Sequence, residues 1–524
     1  MKNIKPTALA FSLTVLASAA ALAAPLSGAT RAWSYAHAGS NNFLSEIVAF
    51  DGSTGTLWVA GVSGVDVLNA STGALVQRID TRAFGSINSV AVKNGVAAMA
   101  FESSAVRTDP GVVKLFNTST RSLLGGTNSF AVGALPDMLT FTPDGLRLLV
   151  ANEATPTTYG TATTASGVFP RSFGVSAVDP AGSVSIINLA TGQITTAGLA
   201  GVAQSGNNIR SNTGMDFEPE YIAVNAAGTR AYVSLQEANA MGVLNLQTGA
   251  FEQVIGLGAK DFNTPGNRID PLNGGGANLI NTPLKGLYMP DGMTAFEQGG
   301  RTLIAMANEG DYREDDADRT TTSAAAGGLN AGAVNGVRVS NTDSSAGDLY
   351  IAGARSFSIR DTAGNIVYDS GEILDREAMA AGLYDDTRSR DKGVEPEGVE
   401  VMAIGDRLFA FVGLERTLQA AIAVFDITDA ANTTFVRMLV SNGDRATEGL
   451  KGYQVNNRYY LAFSNESSNT TSVFDLGTVP EPGSLALAGL ALGGLVWSRR
   501  RTCDLRRSAP SVPAAQAALC RAPG

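Results

Sequence analysis

Apolar and β-branched residues in this chain fall in short runs separated by turns, and the runs recur in a fixed plan. In "LPDMLTFTPDGLRLLVANE" (135–153) two runs flank Pro143-Asp144-Gly145, with Asp137 ahead of the first and Glu153 behind the second. The same plan appears in "EPEYIAVNAAGTRAYVSLQE" (218–237), "MPDGMTAFEQGGRTLIAMANEGD" (289–311), "EPEGVEVMAIGDRLFAFVGLE" (395–415) and "ATEGLKGYQVNNRYYLAFSNE" (446–466). Turn chemistry such as Ala227-Gly228 and Asn456-Asn457 joins the runs and predicts hairpins. A third run with its own turn follows, as in "GSVSIINLATG", "NAMGVLNLQTG" and "QAAIAVFDITD". The runs lack a 3.6-residue period and are rich in Val, Phe, Tyr and Ile, so they read as strands.

Two degenerate copies come first. "EIVAFDGSTGTLWVAG" keeps an opening Glu46 without a closing glutamate, and "NSVAVKNGVAAMAFE" opens on Asn88 and closes on Glu102. Seven units of three to four short strands predict an all-β fold, a seven-bladed β-propeller. The seventh unit ends after its third strand, whereas "TRAWSYA", Thr30–Ala36, is a spare extended segment ahead of the first. That segment is expected to complete the last blade and remove an exposed edge. Three insertions, 154–182, 258–287 and 310–350, are rich in Gly, Ser, Thr, Asn and Ala and read as mobile surface loops.

The acids at the hairpin ends carry the candidate chemistry. Strand one leaves the opening acid and strand two returns to the closing one, so both lie on one edge of a unit. Radial repetition then gathers Asp137, Glu220, Asp291, Glu397 and Glu448, with the closing Glu153, Glu237, Glu309, Glu415 and Glu466 just outside them, at one mouth of a central channel. Two unit charges 6 Å apart repel by about 3 kcal/mol at an effective dielectric near 20, so such a ring requires neutralisation. Three readings stand. Backbone N–H groups and arginines, with Arg313, Arg355 and Arg416 as candidates, would fasten unit to unit. A hard cation such as Ca²⁺ would suit carboxylates without His or Cys, and Asp291, Glu309, Asp311, Glu314 and Asp315, followed by Asp316 and Asp318, form the best local candidate. Metal-bound water or a carboxylate base would give catalysis.

Composition narrows the alternatives. The single histidine, His37, follows the spare strand, and both cysteines, Cys503 and Cys520, lie at the extreme C-terminus. No serine has the Gly-x-Ser-x-Gly setting of a nucleophile elbow, so a His-dependent triad and a His-rich zinc site are disfavoured. Lys2 and Lys5 ahead of an apolar run read as a secretory signal peptide over 1–24. With its lysines and everything after Glu481 set aside, 30 basic residues face 47 acidic ones. A net charge of −17 repels nucleic acid and favours cations or cationic surfaces.

Near the C-terminus, Pro480-Glu481-Pro482 precedes an apolar stretch, 485–497, that is followed by Arg499, Arg500 and Arg501, the pattern of an anchor with its arginines inside. "VPEPGSLALAGLALGGLVWSRRR" (479–501) resembles the PEP-CTERM sorting signal of polymer-producing Gram-negative bacteria. The resemblance implies transient association with the inner membrane, cleavage by an exosortase-type protease, and delivery to the cell surface. The chain departs from it in the tail 502–524. The body, 25–478, resembles the choice-of-anchor I family in the ordered series "LPDMLTFTPDGLRLLVANE", "DPAGSVSIINL", "FEPEYIAVNAAGTRAYVSLQEANA", "MANEGDYRE" and "EPEGVEV". That resemblance extends to the mesenchyme-specific cell surface glycoprotein group and supplies no catalytic residue to carry over. The expected function is a surface-displayed propeller with a binding or structural role in extracellular polymer. The alternative is a Ca²⁺-dependent phosphoesterase with a carboxylate-lined site.

Overall fold

A computed structural model of the chain describes residues 26–37, 43–156, 161–162, 171–172, 180–210, 217–313, 318–322 and 334–478. The signal peptide, the sorting segment with Pro480, Glu481, Pro482, Arg499, Arg500 and Arg501, the tail, and Glu314, Asp315 and Asp316 lie outside the described residues.

Among the described residues, seven sheets have four or more strands, and six of them follow one another along the chain as antiparallel meanders, the fourth with Gln204–Asn207 added in parallel to Ala250–Leu257 at its outer edge. Their first strands are Ser45–Asp51, Ile87–Lys93, Pro136–Phe141, Ile222–Val224, Met293–Gln298, Pro396–Ile404 and, in the seventh sheet, Thr447–Val455. Each first strand lies beside the first strand of the next sheet, and Thr447–Val455 returns to Ser45–Asp51. This closed circuit of innermost strands makes the fold propeller-like.

The hydrophobic runs are continuous because their strands are buried on both faces. In Val96–Phe101, Ala97, Met99 and Phe101 face the core shared with the first sheet, while Ala98 and Ala100 face the core shared with the third. In Arg301–Asn308, Leu303, Ala305 and Ala307 face the sixth sheet, and Ile304 and Met306 face the fourth. The two-residue period of a strand thus feeds two separate cores from one run. A core of this kind joins the seventh sheet to the first through Val48, Leu57, Val59, Ala462 and Val473.

The spare N-terminal segment completes the seventh sheet as expected. Thr30–Ala36 pairs antiparallel with Thr470–Thr478, with Tyr35 opposite Thr471. His37 fastens the end of this strand from inside: Nδ1 is 2.8 Å from Asp66 Oδ2 and Nε2 is 2.8 Å from Thr471 Oγ1. Burial holds the imidazole below its usual pKa range.

The insertions depart from the loop reading. Ala259–Asp261, Leu284–Leu287 and Leu349–Ile351 form a three-stranded sheet, and Arg319–Thr321 pairs with Arg338–Ser340. Phe262, Ile269, Leu284, Val334, Val337, Val339, Leu349 and Ile351 give this region a core of its own. Its apolar residues come singly from two insertions distant in sequence, so no local period announced it. A helix, Ile373–Ala380, also escaped the strand-only reading; Leu374 and Ala378 pack it between the fifth and sixth sheets.

Candidate functional site

The opening acids are aimed inward by a repeated backbone device. In five sheets the pairing of the first two strands shifts register at the opening residue: between Ser45 and Val48, Ile87 and Ser89, Pro136 and Met138, Pro396 and Val399, and Thr447 and Leu450. Such bulges break the alternation of a strand and re-aim one side chain. Two positions ahead of the acid, in four of these sheets and in the unbulged fifth, the backbone is left-handed at non-glycine residues, with φ 46° at Leu44, 42° at Leu135, 42° at Met289, 51° at Glu395 and 58° at Ala446. The same strained conformation ahead of Glu46, Asp137, Asp291, Glu397 and Glu448 marks one turn built five times.

Glycines then draw part of the circuit tight. A Cβ on Gly292 would lie 2.6 Å from the Glu397 carbonyl, one on Gly398 2.8 Å from that of Glu448, and one on Gly449 2.7 Å from that of Glu46. Gly292 N donates to Glu397 O at 3.1 Å. Where Ile47, Met138 and Tyr221 follow the acid instead of glycine, the larger side chains line the channel.

The result is a cavity of about 410 Å³ bordered by Glu46, Asn88, Glu102, Arg107, Asp137, Glu153, Asp291, Glu397 and Glu448. Glu220 and Glu237 adjoin it, within hydrogen-bonding reach of one another; so are Asp291 and Glu397. One carboxylate oxygen each of Asp291, Glu309 and Glu397 lies within 4.8 Å of the others, and the same holds for Glu309, Glu395 and Glu415 and for Glu415, Glu448 and Glu466. The opening and closing acids therefore meet at one place.

Among the described residues few cations serve them, and Arg107, on the cavity border, offsets part of the charge on Asp137. Lys392 Nζ contacts Glu309 and lies 3.2 Å from Glu395 Oε2 and 3.9 Å from Asp311 Oδ1. Arg416 pairs with Glu415 at 2.6 Å. Arg313 pairs with Glu218. Arg355, a candidate partner by sequence, is committed elsewhere: its guanidinium donates to the carbonyls of Asp270, Ser389 and Asp391 and lies 3.7 Å from Asp375. Asp318, from the acidic run after the third hairpin, is bound at 2.9 Å by Arg210 and does not join the mouth.

Electrostatics records the shortage. Burial first, then the neighbouring Asp137, Glu466 and Glu102 charges, push Glu46 up to about 8. Burial and the Asp291 and Glu237 charges raise Asp137 to about 7. Burial raises Glu237 and Glu415 to about 7 against the pull of Arg313 and Arg416 respectively. It holds Glu153, Glu220, Glu309, Glu397 and Glu448 well above the usual carboxylate range, and Asp291 above it. Among the described residues no donor reaches the buried Oε2 atoms of Glu220, Glu237 and Glu397. Such a constellation takes up protons or hard cations.

Sequence reasoning missed Glu395, Lys392 and Glu218. A signal for the two acids is present in the repeated Glu-Pro-Glu, 218–220 and 395–397. Its first glutamate takes a cation, Arg313 for Glu218 and Arg388 at 2.5 Å for Glu395, and its second faces the mouth. Lys392 lies in a stretch between sheets that no repeat covers.

A family model described as the choice-of-anchor I domain matches residues 46–430, and one described as the PEP-CTERM protein-sorting motif matches 478–501. No curated protein matches the chain. Among solved structures, hydrazine synthase of Kuenenia stuttgartiensis is similar at 11% identity and TM-score 0.48, over 83% of this chain and 97% of the other. The Cps50 (Swd1) β-propeller domain of Myceliophteria thermophila is similar at 10% identity and TM-score 0.42, over 83% of this chain and 98% of the other.

Proposed function

Because the chain belongs to the choice-of-anchor I family and carries a match to the PEP-CTERM sorting motif, we propose that it is an exported seven-bladed β-propeller that binds extracellular polymer at the surface of a Gram-negative cell. The motif implies processing by an exosortase, and with the family it marks a surface-targeted bacterial protein. In this reading each of the seven large sheets is one blade, residues 1–24 are a signal peptide, 25–478 the propeller, 479–501 the cleaved anchor segment, and 502–524 a tail discarded with it.

The observation that carries the binding role is the convergence of opening and closing acids on one mouth with too few cations to neutralise them. A ligand that brings positive charge, whether an amine-bearing polymer or a polymer-bound cation, lowers the energy of the mouth by supplying what the fold omits. Retention of the mature protein on extracellular polymer at low salt, its release at high salt, and its loss in a Glu397→Gln, Glu448→Gln double variant are the expected results. No retention at low salt would remove the proposal. Turnover of a generic phosphoester, lost in the same variant, would replace it with the hydrolytic alternative. Mass spectrometry of the released protein tests the sorting step: a chain that retains 485–497 has not been cleaved.

A further inference from the structure

We propose that the Asp291, Glu309 and Glu397 corner of the mouth binds a hard divalent cation of the Ca²⁺ class, with those three carboxylates as its protein ligands. The inference rests on the reading of the mouth as the binding face and names what enters it first.

Oxygens on one Ca²⁺ lie about 2.3–2.6 Å from the metal, so any two are at most about 5 Å apart. The three carboxylates meet that limit, with one oxygen of each within 4.8 Å of the others. The adjoining group, Glu309, Glu395 and Glu415, shares Glu309 and is as closely spaced; Lys392 Nζ lies on its side, in contact with Glu309 and Glu395. No ammonium or guanidinium is paired with Asp291 or Glu397 among the described residues.

A second, independent observation points the same way. Among the described residues no donor reaches the buried Glu397 Oε2, and the Glu397 carboxyl faces that of Asp291. Two carboxyls at hydrogen-bonding reach require a proton or a metal ion between them. Glu309 shares one oxygen with Lys392 and accepts from Gln236 Nε2 at 3.0 Å through the other, which leaves lone pairs for a cation. The donor set is all carboxylate, which selects a hard ion over zinc or copper.

The test is calorimetry and thermal unfolding of the mature exported protein, stripped with chelator and titrated with CaCl₂ at neutral pH. The expected result is saturable binding that raises Tm. Asp291→Asn and Glu397→Gln each weaken it at least tenfold, whereas Asp318→Asn, away from the mouth, leaves it unchanged. Absence of any Tm shift with Ca²⁺, Mg²⁺ and Mn²⁺ overturns the proposal; so does unchanged affinity in Asp291→Asn and Glu397→Gln. If those variants fail to fold, the wild-type protein decides: a Tm rise with CaCl₂ no larger than that with NaCl at equal ionic strength overturns it. Polymer retention without any Ca²⁺-dependent rise in Tm removes this site and leaves the polymer-binding role standing. Cation binding without polymer retention does the reverse.

Discussion

Two buried, charged regions of this molecule are built on opposite plans. Where the insertions pack onto the body, acids meet bases: Arg210 holds Asp318 at 2.9 Å and Asp343 at 2.8 Å, and Lys260 holds Asp369 at 2.6 Å, while the buried Asp270 accepts from Ser389 Oγ at 3.0 Å. At the channel mouth acids meet acids, and Lys392 and Arg416 offset only part of the charge. The fold thus has the means to neutralise buried carboxylates and uses it where the role is architectural. A buried ion pair contributes little over an apolar substitute, but breaking one is costly. An uncompensated acid cluster is costly throughout, and its persistence points to an external partner that completes it.

The largest way to break this contrast is Arg210→Met, which strands Asp318 and Asp343. A loss of about 3–5 kcal/mol is expected in denaturant unfolding with an unchanged m-value; a loss under about 1 kcal/mol would mean the module does not depend on its pairs. Next is Gly449→Ala. The added methyl meets the Glu46 carbonyl at 2.7 Å and should cost about 1–3 kcal/mol, whereas Gly198→Ala, with nothing within 4 Å, should be neutral or slightly stabilising.

The mouth predicts a smaller effect of opposite sign. A carboxyl whose folded pKa is raised favours the folded state when protonated, so its contribution is full below the unfolded value near 4.5 and is lost as pH rises toward about 8 for Glu46. Without added cations, Glu46→Gln should therefore stabilise by about 1–2 kcal/mol at pH 8 and by almost nothing at pH 4. Equal stability of the two proteins across that range would show the mouth already neutralised. Least of all, Arg82→Ala removes an exposed pair with Asp80 and should leave Tm unchanged.

Much of this was legible in the chain. The acids that open and close each hairpin specify their own meeting point, because strand direction and radial repetition leave them only one edge. Thr30–Ala36 was readable as a closing strand because the seventh unit lacked one. The glycine after Asp291, Glu397 and Glu448 was present but uninformative, since its purpose is the approach of a neighbouring sheet's backbone, which no local pattern encodes. The left-handed residues two positions before the acids were equally silent: Leu44, Leu135 and Met289 have no intrinsic preference for that conformation. The core of the insertion module was hidden for a related reason, since Phe262 and Val339 become neighbours only after the circuit has formed.

The register that sets Tyr35 against Thr471 also imposes a timetable on export. A chain that crosses a membrane amino end first presents Thr30–Ala36 early, and the strand that receives it ends at Thr478, where the sorting match begins. The circuit cannot shut until more than four hundred intervening residues have emerged. Until then one sheet edge stays open to whatever strand reaches it first.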